Sequence, residues 1–306
     1  MWLGAHIGIS DGLGEAVSSA KGIGCEAIQI FSKSPQMWKG PAISPEAALA
    51  FREAMKTEGL RGSAVHHGYL INLATPKPPM LALSRRTFVD ELQRAELLGV
   101  DHLIFHPGAH LGSGPEAGIK TLIESLNWAF EQTPGLHVRA LLENASGQGT
   151  ALCSSFTELA DALHGVTEPA RVGVALDTCH LFANGVDLRT PESYAAVMDQ
   201  IERELGSREV RAFHLNDAKA DLGSHLDRHE NIGKGHIGAE GFRPLLNDPR
   251  WADRPGYLET PLAEGEEGYG SYATDLATLR SLLEGHPVPP RPAKLPAKAR
   301  RASSTK

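Results

Sequence analysis

Five histidines and four carboxylates stand at or just beyond the ends of successive strand-like runs in this chain. SAVHH ends near His66, LIFHPG carries His106, and RALLEN carries Glu143. GVALDTCH supplies Asp177 and His180, RAFHLND supplies His214, GYLET supplies Glu259, and the loop DRH adds Asp227 and His229. Imidazole and carboxylate are the ligands that suit zinc and neighbouring transition metals. Nine of them gathered at one edge of a sheet are too many for a single ion, which points to a multi-metal hydrolytic site. Asp227-x-His229 puts two donors on one face of an extended segment, a clamp for one metal. Asp177-x-x-His180 spans a strand end and the turn after it, so its two donors can serve different ions. Glu143 and Glu259 each end an apolar strand, where an unpaired carboxylate carries a large desolvation cost. A metal removes that cost; arginine or backbone donors are the other way to satisfy it. Cys179, between Asp177 and His180, is read as a small buried spacer, because a strand that points Asp177 inward points its neighbours elsewhere.

These residues need elements to hold them. Strands are predicted at about 3–9, 27–32, 63–67, 102–107, 138–144, 172–178, 210–216 and 256–260. The segments between them, such as PEAALAFREAMKTEGL and SRRTFVDELQRAELLGV, repeat apolar residues at helical spacing and end in Gly59 and Gly99. The strands are short and aliphatic, as expected when both faces are covered. Eight such units fit the βαβ repeat length, so an α/β fold is expected: an eight-stranded (β/α)8 TIM barrel, with a doubly wound sheet as the alternative. In such barrels the active site forms at the C-terminal ends of the strands, where each candidate ligand lies.

The chain has 306 residues and 41% hydrophobic content, enough for one large domain, placed at 1–285. Residues 286–306, rich in Pro, Ala and Lys/Arg, are expected to form a disordered basic tail. The formal charge is −7, and six positive charges follow Glu284; without them the body carries −13. That is not the broad basic face of a nucleic-acid binder, although divalent metals at the ligand carboxylates could reverse the local field. No apolar run is long enough to span a bilayer, so no membrane association is expected. No secretory signal is visible, and three unpatterned cysteines suggest reduced thiols, so the expected location is cytoplasmic.

The ordered motifs GAHIGISDGL, FSKSPQMW, HHGYLINLATP, FHPGAHLG, LLENASGQG, VGVALDTCHLFANGVDLRTP, FHLNDAK, DRHENIGKGHIG and YLETP resemble the endonuclease IV family from about residue 4 to 261. That family comprises the trinuclear zinc abasic-site endonucleases of the xylose isomerase-like barrels. The resemblance implies three Zn2+ per chain. His66, His106 and Glu143 would hold the first. Glu143 would bridge to the second, held also by Asp177, His214 and Glu259, while His180, Asp227 and His229 would hold the third. It implies a DNA-repair hydrolase that cuts duplex DNA 5′ to an abasic site, leaving a 3′-hydroxyl and a 5′-deoxyribose phosphate. No organic cofactor is needed, and a monomer is expected. Close metals can make water a nucleophile at neutral pH and neutralise the phosphodiester. Glu143 would set their spacing, and Glu259 could orient the attacking species.

Beyond the ligands, Tyr69 and Leu70 match family residues that wedge into the bent duplex beside the extruded nucleotide. Gln36 stands where the family usually has Arg, which keeps hydrogen bonding but loses phosphate attraction. His67, next to a ligand in its strand, is expected to face away from it, supporting the shell or lying at the surface. His6 would lie low in the site without binding metal. His102 and the other histidines are expected to be surface or packing residues. A sugar isomerase or epimerase of the same fold would use Glu143, Asp177, His214 and Glu259 but leave His180, Asp227 and His229 without a role. A non-catalytic module binding damaged DNA would predict missing ligands, and none is missing.

Overall fold

The protein was analysed as a computed structural model, which describes residues 1–263 and 268–284. Eight parallel strands close into a barrel. In chain order they are β1 (Trp2–His6), β2 (Ala27–Phe31), β3 (Gly62–His66), β4 (His102–Phe105), β5 (Arg139–Glu143), β6 (Val172–Asp177) and β7 (Val210–His214). A small ribbon of β8 (Asp217–Ala218) and β9 (His229–Glu230) follows, and β10 (Pro255–Leu258) then pairs with both β7 and β1 to complete the ring. Each of the eight predicted strands corresponds to a barrel strand. The basic tail read at 286–306 lies outside the described residues.

The helices are α1 (Leu13–Gly22), α2 (Pro45–Glu58), α3 (Pro78–Leu98), α4 (Pro115–Glu131), α5 (Phe156–His164), α6 (Thr178–Ala183), α7 (Pro191–Glu204), α8 (Arg243–Leu246) and α9 (Gly270–Ser281). Their starts are written locally. Ser44 accepts a hydrogen bond from Ala47 N–H, and Ser155 accepts one from Glu158 N–H, each satisfying an otherwise orphaned first-turn donor. Thr190 and Ser193 cap α7 reciprocally. Gly59 and Gly99 terminate α2 and α3 with φ of 67° and 69°, the left-handed conformation that glycine adopts without strain.

The apolar residues divide into two cores. A large shell lies between strands and helices; inside the barrel Ala27, Ala64, Ile104, Leu141, Ala175 and Ala212 pack around Tyr257. Four alanines in that layer leave room for one phenol ring, so the lumen is filled rather than open. The C-terminal strand ends stand above this plug, and register aligns them: Phe31 is opposite His66, and Asp177 is opposite His214. The β8–β9 ribbon had no periodic signal in the sequence. The fully buried Asp217 carboxylate holds it in place, accepting from the backbone N–H groups of Gly233, Gly235, Ile237 and Gly238. Four backbone donors on one carboxylate fix the segment that follows His229.

Candidate metal centre

Glu143, the last residue of β5, is fully buried among imidazoles. Its Oε2 lies 3.1 Å from His66 Nε2 and 3.5 Å from His106 Nδ1, while its Oε1 lies 2.8 Å from His214 Nδ1 and 3.5 Å from His180 Nδ1. Neither arginine nor backbone answers this carboxylate in the contacts described. Among the described residues, donor atoms within 4.8 Å of one another form overlapping groups that include His66/His106/Glu143, Glu143/Asp177/His214/Glu259 and His180/Asp227/His229, with His66/His214/Glu259 linking the first two. The structure therefore brings all nine sequence-predicted ligands together, with Glu143 common to the first two groups. Asp177 caps α6 by accepting from His180 N–H at 2.8 Å, which turns the two side chains of this i, i+3 pair toward different groups.

The outer hydrogen bonds of the imidazoles suit metal ligation. His66 Nδ1 donates to the His67 carbonyl (2.9 Å), His180 Nδ1 to the Asn144 carbonyl (2.9 Å), and His229 Nδ1 to the Glu259 carbonyl (3.2 Å). His214 Nε2 donates to Gln29 Oε1 at 2.9 Å. In each ring the other nitrogen, with its lone pair, then faces the carboxylates, the tautomer that a metal ligand needs. His229 Nε2 is buried without a hydrogen-bond partner and faces Asp227 Oδ1 at 3.3 Å and Asp177 Oδ2 at 3.6 Å. The residues present fit divalent cations.

Electrostatics make the same point. Burial works to lower the His214 and His229 pKa values, yet Glu259 and Glu143 around the first, and Asp177 and Asp227 around the second, hold both up at about 9. Burial pushes the Glu143 carboxyl up, but His214 and His106 outweigh it and hold it well below the usual carboxylate range. Without cations His214 and His229 hold protons in their place, whereas burial lowers the pKa of His106.

Several residues around the site escaped the sequence reading. Gln29, fully buried in β2, donates from Nε2 to Glu259 Oε1 at 2.6 Å and to His6 Nδ1 at 2.9 Å. Asn216 donates to Asp177 Oδ2 at 2.7 Å and accepts from Glu259 N–H at 2.8 Å; Asn144 accepts from Asp177 N–H at 2.7 Å. A polar residue inside an otherwise apolar, doubly covered strand was the available signal for Gln29. His67 is a support rather than a surface residue: it is fully buried, its Nδ1 donates to the Gly68 carbonyl, and its Nε2 accepts from His106 N–H at 2.8 Å. Cys179 is buried as expected, with its thiol directed to the Arg228 carbonyl at 3.5 Å; burial pushes its pKa up, which disfavours the thiolate. Its sulfur nonetheless lies within 4.8 Å of donor atoms of Asp177 and His229.

The family model of the xylose isomerase-like TIM barrels matches residues 17–282. A protein of Chloroflexus aurantiacus named "Probable endonuclease 4" is 42% identical over 282 residues, covering 92% of this chain and 98% of its own. One of the same name from Citrifermentans bemidjiense is 41% identical over 283 residues, covering 92% and 99%. The crystal structure of endonuclease IV from Thermus thermophilus superposes with a TM-score of 0.80 at 33% identity, covering 92% of this chain and 98% of that one. The chain belongs to the endonuclease IV family. A D-tagatose 3-epimerase-like protein superposes with a TM-score of 0.69 at 16% identity, covering 92% and 97%, which shows the shared barrel fold alone.

At the rim of this endonuclease IV family barrel, a cleft of about 440 Å³ opens beside His106, His180 and Asp227 and is walled by Tyr69, Ser146 and Gln148. Tyr69 and Leu70 project into solvent, 64% and 37% exposed. Their loop rests on the loop that follows β2, where Tyr69 N–H donates to the Pro35 carbonyl at 3.1 Å. Gly68 is required there, because a Cβ would stand 2.8 Å from that same carbonyl oxygen. Gln36 is exposed beside Pro35, so all three predicted DNA-contacting residues share one edge of the site. Among the described residues, no helix is long and apolar enough to cross a membrane.

Proposed function

We propose that the protein hydrolyses the phosphodiester 5′ to abasic sites in duplex DNA, using three zinc ions and leaving 3′-hydroxyl and 5′-deoxyribose phosphate ends. The observation that carries this proposal is the third ligand group, His180, Asp227 and His229, packed against the other two. A sugar epimerase of the same fold would have no use for it. His66, His106 and Glu143 would hold one ion, Glu143, Asp177, His214 and Glu259 the second, and His180, Asp227 and His229 the third. Bound zinc would neutralise the phosphodiester and make water nucleophilic at neutral pH.

The chain's own groups supply position. Glu259 is ionised, because His214 and His6 offset its burial, and Gln29 fixes its Oε1. Its Oε2, 3.5 Å from His214 Nδ1, faces the second ligand group and would orient a water there toward phosphorus. Tyr69 and Leu70 would fill the space of an extruded nucleotide and offset lost stacking.

The test is incision of a duplex with a single tetrahydrofuran abasic analogue, end-labelled on either strand terminus, with and without chelator. One cut 5′ to the analogue, abolished by chelator and restored by zinc, supports the proposal. An uncut duplex at full metal loading overturns it.

Gln36→Arg is expected to tighten binding to abasic duplex and leave the single-turnover rate unchanged, because residue 36 supplies no ligand. A new phosphate contact releases counterions, so the salt dependence should steepen by up to about one log–log unit. Affinity measured across several salt concentrations checks it; a variant with unchanged affinity and slope places Gln36 away from the DNA.

A further inference from the structure

The opposite mouth of the barrel carries a second polar cluster that the nuclease reading does not use. Ile104 and Leu141 point into the lumen, so His102 and Arg139, two residues earlier on β4 and β5, point into it one layer nearer the N-terminal end. Arg211 joins them through a β-bulge. Val174 pairs with Val210 but Ala175 pairs with Ala212, leaving Arg211 as the extra residue, and such bulges re-aim a side chain. Gly173 accommodates it: a Cβ there would lie 3.0 Å from both Arg211 Cγ and the lumen-facing Leu141 Cδ2. Arg254, leading into β10, is tied to the same end by its Nε donating to the Val210 carbonyl.

The cluster is short of acceptors. His102 Nδ1, Arg211 Nε, Trp2 Nε1 and the Tyr257 hydroxyl are buried atoms without hydrogen-bond partners, and all can donate. Tyr257 itself is fully buried, and burial together with the charge of Asp101, at the entry to β4, pushes its pKa up. Burial and the three arginines bring the His102 pKa down to about 3, and burial together with Arg211 and Arg254 lowers that of Arg139. Nearby carboxylates are already engaged: Glu209 is 3.2 Å from Arg208 and 4.0 Å from Arg211, Asp253 pairs with Arg61, and Asp101 is bound by Ser63.

We propose that the N-terminal mouth of the barrel binds a small oxyanion, of the class of inorganic phosphate, between Arg139, Arg211 and Arg254 around His102. An oxyanion offers acceptor lone pairs to His102 Nδ1 and Arg211 Nε, which have no partner, and to the guanidinium groups of Arg139 and Arg254, whose Nε atoms donate to the Ala170 and Val210 carbonyls; guanidinium forks match its geometry. It also screens three like charges from one another. His102, expected from the sequence to be a packing residue, becomes a neutral donor at this site. Because the mouth lies at the end of such barrels that serves stability rather than chemistry, occupancy acts on the folded state.

Thermal unfolding of the metal-loaded full chain at low salt tests this, comparing phosphate with chloride at matched ionic strength. Wild type should gain melting temperature with the logarithm of phosphate concentration beyond the chloride control. Arg211→Met should lose that increment while being about as stable as wild type without phosphate, since it removes a guanidinium whose Nε has no hydrogen-bond partner and whose ion pair to Glu209 is long, at 4.0 Å. Arg211→Met leaves every donor of the metal centre in place, so an increment lost in that variant belongs to this mouth and not to phosphate bound at the metal centre. If Arg211→Met does not fold, Arg139→Gln carries the same comparison. Equal effects of phosphate and chloride on wild type, or an increment kept by the arginine variants, overturns the proposal.

Discussion

Glu259→Gln is expected to bind abasic duplex almost as wild type does and to lose incision by about three powers of ten or more. The amide matches the carboxylate in shape, so the hydrogen bond to Gln29 and the backbone bond from Glu259 N–H to Asn216 have partners to keep. What disappears is the negative charge facing His6 and His214, and with it one donor of the second ligand group. Losing several kcal/mol of transition-state stabilisation corresponds to roughly that factor in rate. Single-turnover incision set against gel-shift affinity separates the two effects. Near-normal cleavage by the variant would remove Glu259 from the chemistry.

Stripping the metal should reveal the protons that stand in for it. In the metal-free chain the carboxylates hold His214 and His229 up at about 9, so both are protonated at neutral pH, whereas a metal needs the lone pair. Zinc added at pH 7.5 is therefore expected to displace about two protons or more, read by calorimetry in buffers of different ionisation enthalpy. The sign of the stability effect follows. A histidine whose folded pKa is raised stabilises fully below its unfolded value near 6.5 and loses that contribution as pH climbs through about 9. The melting temperature of stripped protein should fall across that window, and the loaded protein should not share the fall. Elemental analysis should find about three metals per chain, the number that the proposed division of the nine donors requires. A reproducible value of one or less, with no activity gained on adding zinc, would end the trinuclear proposal.

The barrel and the nine-donor cluster were legible because each rests on spacing. Period-3.6 helices, doubly covered strands and a donor at nearly every strand end fix both the ring and the edge that carries chemistry. What was not legible depends on register between distant strands. Gln29 meets Glu259 and His214 because β2, β7 and β10 share one lumen, and nothing within AIQIF specifies that. Asp217 acts through backbone amides sixteen to twenty-one residues away, whose convergence on one carboxylate has no local signature. The bulge that turns Arg211 inward is likewise a property of the β6–β7 pair, not of VRAFH. Parity left His67 either supporting the shell or at the surface; only the tertiary contact, its buried ring accepting from His106 N–H, decides for the support.

The hydrogen bond between Gln29 and Glu259 joins residues 230 positions apart, and its later member is also the last of the nine donors to be synthesised. At about 5–20 residues per second, a ribosome delivers Glu259 roughly 10–50 s after Gln29. During that interval the nascent chain displays isolated histidines, with no closed ring to gather them into donor groups. Tight capture of metal thus coincides with sealing of the β10 seam. A chain interrupted before residue 259 lacks this donor, and one interrupted before residue 255 lacks the closing strand as well, so on the proposed metal reading retention of metal would mark the chains that were made far enough to be finished.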